Sequence, residues 1–72
     1  MKCMIVADCG DKEIVMNVAF LSCEQKTKNG KTYLWYYTKS DARSDAGDLY
    51  YHGIKCEIKE GWENDGFVNF YK

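Results

Sequence analysis

The 72-residue sequence predicts a mainly β fold: a single small domain of about five antiparallel strands, as a small barrel or strongly twisted sheet, with at most one short helix around residues 40–52. Three observations carry that expectation. Asn29-Gly30 sits between two β-rich apolar runs spanning residues 13–39, and Asn-Gly is the strongest short-range hairpin signal, because a type I′ turn needs positive φ at both central residues. Residues 2–8 form an apolar run charged only at its ends, and apolar residues alternate from Tyr50 to Ile58. No proline interrupts any of these runs. The alternative arrangement is α+β: a three-stranded meander, one helix and a two-stranded hairpin.

Strand one covers residues 2–8 and strand two residues 12–25, joined by a turn at Gly10-Asp11. A two-residue turn there would place Ala7 opposite Ile14, Ile5 opposite Met16 and Cys3 opposite Val18, a continuous apolar face. The Asn29-Gly30 turn sets the next register by counting outward: Lys28 opposite Lys31, Lys26 opposite Tyr33, Glu24 opposite Trp35 and Ser22 opposite Tyr37. Strand two would then be central, with apolar residues on both faces. Together the two hairpins would gather Tyr33, Trp35, Tyr37 and Phe20 on the face of Cys3, Ile5 and Ala7.

Residues 40–52 admit two readings. Ser40 as an N-cap and Gly53 just past the end would frame a helix carrying Ala42, Ala46, Leu49 and Tyr50 at helical spacing. The favoured reading stops a short helix at Gly47 and begins a strand at Asp48, so that Tyr50, His52, Ile54, Cys56 and Ile58 share one face, with Gly53 at a bulge. Residues 59–66 read as a turn region and residues 67–71 as the last strand.

Size and charge narrow the function classes. A chain of this length holds one core, so residues 1–72 are read as a single globular domain. Its hydrophobic fraction of 46% is that of a folded domain and not of a disordered tail. A net charge of −1 argues against binding nucleic acid by overall charge alone. The charge is nonetheless segregated. Lys26, Lys28, Lys31, Lys39 and Arg43 face only Glu24 and Asp41 over residues 24–43, whereas residues 44–65 set Asp45, Asp48, Glu57, Glu60, Glu63 and Asp65 against Lys55 and Lys59. The opening run is too short for a signal peptide or a membrane span, which predicts a cytoplasmic protein that does not enter membranes. There, Cys3, Cys9, Cys23 and Cys56 stay reduced. None falls in a C-x-x-C pair, so core packing is expected of them and no metal.

Catalytic chemistry finds little support. His52 is the single histidine, and Cys56, four positions on along a strand, would lie about 13 Å away, too far to share a proton. There is no G-x-S-x-G, P-loop or dinucleotide fingerprint, so neither an enzyme nor a cofactor is expected. What remains is a surface. Lys26, Lys28 and Lys31 at the hairpin tip adjoin Tyr33 and Trp35, and Trp62 with Glu63 marks an acidic turn region. These residues make a protein-binding module the leading expectation: a small inhibitor or adaptor that occupies a surface of a larger partner. Phage and mobile-element proteins, working in a host cytoplasm, often do this. The alternative is a single-stranded nucleic-acid binder that stacks bases on the aromatics of the lysine-bearing hairpin. A homodimer is a further expectation. Strand one and the final strand carry charge only at their ends, and such edges pair unless the sheet closes on itself.

Overall fold

The computed structural model describes residues 3–60. Within them the order of elements is β1 (Cys3–Ala7), α1 (Lys12–Val18), β2 (Glu24–Lys28), β3 (Lys31–Tyr36), α2 (Lys39–Tyr51) and β4 (Cys56–Glu60). The four strands form one antiparallel sheet in the order β2-β3-β1-β4. β1 and β2 are therefore parallel with β3 between them, and β3 and β4 are parallel with β1 between them. This connectivity is the double split βαβ of the ferredoxin-like arrangement, an α+β fold.

The expectation of a mainly β fold with at most one helix is thus corrected to an open four-stranded sheet and two helices among the described residues. The fifth strand expected at residues 67–71 lies outside them. Strand two, expected over residues 12–25, is replaced by α1, a loop and β2. The cause begins at Asp11, whose carboxylate accepts from the Glu13 and Ile14 amides at 3.1 and 3.3 Å. That N-cap satisfies two of the orphan donors of a first helical turn. No II′ turn forms at Gly10-Asp11, because Gly10 does not have positive φ. Val15 and Ala19, one helical turn apart, are fully buried, while Ile14 is half exposed. Asn17, which a strand would place on the same face as Val15 and Ala19, is exposed, as the helical phase requires.

The second correction concerns residues 40–52. The helix runs straight through Gly47 to Tyr51, so the strand favoured from Asp48 does not form, and Tyr50 and His52 do not share a strand face with Ile54, Cys56 and Ile58. Thr38, not Ser40, is the N-cap; its hydroxyl accepts from the Asp41 amide at 3.2 Å. The far end closes as a Schellman motif: the Ile54 amide donates to the Leu49 carbonyl at 2.9 Å and the Gly53 amide to the Tyr50 carbonyl at 3.0 Å. Gly53 has φ of 77°, as that motif requires. A Cβ there would meet nothing within 4 Å, so only backbone strain opposes a side chain. Gly53→Ala is therefore expected to lower stability by about 1–2 kcal/mol, with Gly53→Asn costing less, as read by urea denaturation.

The core lies between the helices and one sheet face. Cys3, Ile5 and Ala7 of β1 and Leu34 and Tyr36 of β3 meet Val15 of α1 and its C-cap Ala19, and Ala42 and Leu49 of α2, all fully buried. Ala7, Ala19 and Ala42 keep side-chain volume low within this core. β1 pairs with β3 on one side and β4 on the other, so it is central and not the open edge expected. Among the described residues the outer strands are β2 and β4, and β2 reads EQKTK, an edge guarded by lysine. No helix of the described residues is long and apolar enough to cross a membrane.

Candidate functional site

The Asn29-Gly30 hairpin forms in the expected register. Asn29 and Gly30 have φ of 55° and 76°, and Lys28 pairs with Lys31, Lys26 with Tyr33 and Glu24 with Trp35. Side chains alternate along β3, so Thr32, Leu34 and Tyr36 face the helices while Lys31, Tyr33 and Trp35 face away. Tyr33 and Trp35 are therefore not on the face of Cys3, Ile5 and Ala7, as was expected. The register of β1 against β3 pairs Trp35 with Met4 and Tyr33 with Val6 instead.

Five of the seven expected binding residues, Lys26, Lys28, Lys31, Tyr33 and Trp35, thus share the sheet face opposite α1 and α2. Trp62 and Glu63 lie outside the described residues. The Tyr33 and Trp35 rings stack, with centroids 6.3 Å apart and planes 25° apart. Trp35 is nevertheless fully buried and Tyr33 half-buried, so the indole offers no open face to a base. Lys31 lies 3.7 Å from Asp8, an exposed ion pair of little energetic weight. A cleft of about 180 Å³ beside it, reaching Lys55 and Glu57, is smaller than most small-molecule sites, which run to roughly 300–1,000 Å³.

A different surface emerges at the other end of the sheet, in the loop between α1 and β2. Phe20 is 68% exposed, Leu21 42% and Tyr37, just beyond β3, 61%. Phe20 and Tyr37, expected on the face of Cys3, Ile5 and Ala7, are therefore in water instead. The loop is held by hydrogen bonds instead of by packing its large side chains. The Leu21 amide donates to Asp45 Oδ2 at 3.0 Å, and the Cys23 amide to the Trp35 carbonyl at 2.8 Å. Gln25 Nε2 donates to Ser22 Oγ at 2.8 Å, and the Cys23 thiol donates to the Trp35 carbonyl at 3.2 Å.

Asp45 is the anchor of this loop. It sits on the inner face of α2, 1% exposed, and its Oδ2 also accepts from the Tyr36 hydroxyl at 2.6 Å. Burial pushes its carboxyl above the usual carboxylate range; the two donors oppose the shift, and Asp48 and Asp41 add to it. Burial likewise raises the Tyr36 hydroxyl, reinforced by Asp45, so it stays protonated at any physiological pH. Sequence reasoning missed Phe20, Leu21 and Asp45 as a group because it laid residues 12–25 on one strand. The available signal was Asp11 as an N-cap followed by Val15 and Ala19 at helical spacing, which ends the helix before Phe20.

The cysteines are free thiols: Cys3 is buried, Cys9 and Cys56 half-buried and Cys23 exposed, so core packing does not extend to Cys23. Partial desolvation raises the thiols of Cys23 and Cys56, which disfavours the thiolate that a nucleophile needs. His52 caps α2, its Nδ1 2.9 Å from the Asp48 carbonyl oxygen, while the Cys56 thiol turns to the Ala46 carbonyl at 3.8 Å. The two are each engaged with a different carbonyl of α2. Against protein-family models, curated proteins and solved structures, the chain matches none.

Proposed function

We propose that the protein is a binding module that docks on a larger folded protein, as an inhibitor or adaptor does, and that the docking surface is the α1–β2 loop with Tyr37. The observation that supports this most is the exposure of Phe20 and Leu21 on a loop whose backbone is tied to α2 and β3. A lone exposed leucine needs no explanation, but large apolar side chains gathered on one anchored loop do. Burying a Phe or Leu side chain is worth about 1.5–3 kcal/mol, and a loop already ordered spares part of the entropic cost of binding. The partner this suits is a protein surface with an apolar pocket for Phe20, with the Tyr37 hydroxyl at its rim.

The lysine-bearing sheet face supports the second reading less well. Lys26, Lys28, Lys31 and Tyr33 are gathered there, but the ring best suited to stacking, Trp35, is buried. One experiment separates the two. The protein is used to purify its partner from its source cells, and affinity is measured by calorimetry for wild type and for Phe20→Ala. The variant is expected to weaken binding by about 2 kcal/mol, the scale of an interface hot spot, or roughly thirtyfold. Unchanged affinity in Phe20→Ala would overturn the proposed surface. Oligonucleotide binding at low salt that falls steeply with ionic strength, and is lost in Lys26→Glu, would put the nucleic-acid reading in its place.

A further inference from the structure

Asp45 carries a polar arrangement that packing alone does not explain. Its Oδ2 takes both available donors, the Leu21 amide at 3.0 Å and the Tyr36 hydroxyl at 2.6 Å. Its Oδ1 is buried and accepts no hydrogen bond. A carboxylate shares its charge between both oxygens, so ionisation would place charge on a buried oxygen that nothing solvates. The neutral acid avoids burying charge: Oδ2 acts as the carbonyl oxygen with both lone pairs filled, and the proton sits on Oδ1 as a buried hydroxyl, which costs less than a buried charge.

The described residues around Asp45 offer no compensating cation. From β3, the group facing Asp45 is the Tyr36 hydroxyl; from α2 itself, Asp41 and Asp48, one turn to either side, act on it with the same sign. From β4, the Cys56 thiol acts on Tyr36. The loop presents only the Leu21 amide, and α1 and its C-cap bury Val15 and Ala19, which carry no charge. Among the described residues no lysine, arginine or histidine forms an ion pair with Asp45.

We propose that Asp45 is a positioning residue, a pH-sensitive latch: its neutral carboxyl holds residues 19–23, and with them Phe20 and Leu21, against α2, and its ionisation releases them. The inference rests on the reading of that loop as the binding surface. Lifting the loop gives up the Leu21 amide, which favours the carboxylate, but lets water reach Asp45; relief of desolvation is the larger effect, so the ionised form favours the lifted loop. The sign follows from linkage. Asp45 holds its proton more tightly when the loop is closed, so the latch is fully closed below the carboxyl's pKa in the lifted state. It opens as pH rises through the higher pKa of the closed state.

The test is amide hydrogen exchange by NMR on the protein alone, from pH 5 to pH 8, corrected for intrinsic rates. The readout is protection of the Leu21 amide itself, with the Leu34 amide in the core marking global unfolding: opening is local while Leu21 stays less protected than Leu34. Leu21 protection is expected to fall with rising pH, by about tenfold for each unit separating the closed and lifted pKa values. It should be flat in Asp45→Asn, which cannot ionise. Tyr36→Phe removes one of the two donors that favour the carboxylate, so it should move the fall to higher pH, and it keeps the test available if Asp45→Asn does not fold. A pH-independent Leu21 protection in wild type, the same fall in Asp45→Asn, or Leu21 protection equal to that of Leu34 throughout would overturn the latch. Because no partner is present, that failure is distinct from failure of the binding reading, which shows as unchanged partner affinity in Phe20→Ala.

Discussion

Replacing Trp35 with alanine is expected to lower the unfolding free energy by about 3–5 kcal/mol, the range for truncating a buried aromatic. Scaled by length, a chain of this size has roughly 4–11 kcal/mol in all, so the variant should be marginal or largely unfolded at 37 °C. Trp35 is fully buried although it lies on the sheet face away from the helices, paired across the strands with Met4 and Glu24 and stacked on Tyr33. Its removal therefore opens a cavity in contact with two neighbouring strands. Urea denaturation followed by far-ultraviolet circular dichroism reads the effect, with Trp35→Phe expected to lose about half as much, since it keeps most of the buried ring area. A stable, well-folded Trp35→Ala protein would mean that the indole is a surface group. The nucleic-acid reading would then regain its stacking platform.

Leu49→Ala is expected to cost about 2–5 kcal/mol, whereas Tyr50→Ala, one position on, should change stability by less than about 0.5 kcal/mol. Leu49 is fully buried in the core, and Tyr50 is 82% exposed. The pair is informative because the two readings of residues 48–58 assign opposite roles. On a strand with Tyr50, Ile54 and Ile58 facing inward, Tyr50 would be the costly residue and Leu49 the neutral one. Thermal or urea unfolding of the two variants side by side reads the phase of the element directly. Equal costs, or the reverse order, would contradict the helix from Lys39 to Tyr51.

The parts of the fold that could be read from the sequence are those fixed by local chemistry. Asn29 and Gly30 both adopt positive φ, and that requirement sets the whole register of β2 against β3 from two residues. The apolar run of β1 was legible as a strand, whereas Gly53, favoured at a bulge, closes α2 instead. α1 was not. Its KEIVMNV is short and rich in residues that suit a strand, and the Asp11 cap is a small signal against that preference. α2 buries only Ala42, Asp45 and Leu49, so its apolar stripe is thin and one of its inward residues is an acid. Such a stripe is a weak pattern until something packs on it.

The candidate site divides the same way. The gathering of Lys26, Lys28, Lys31, Tyr33 and Trp35 on one face follows from turn geometry and the two-residue period of a strand, and the sequence alone determined it. Which way that face points was decided by the pairing of β1 with β3, a contact between residues about thirty positions apart. That pairing turned Tyr33 and Trp35 away from the helices and left Phe20, Leu21 and Tyr37 in water. The place of Asp45 was likewise decided only by tertiary structure. Nothing local distinguishes it from Asp41 or Asp48 on the same helix. It is buried because its turn of α2 meets Tyr36 and the backbone of Leu21, whose donors hold a carboxyl out of water. Local dihedral demands are satisfied within a few residues and can be read from them; burial is settled between elements, by whichever partners close the core.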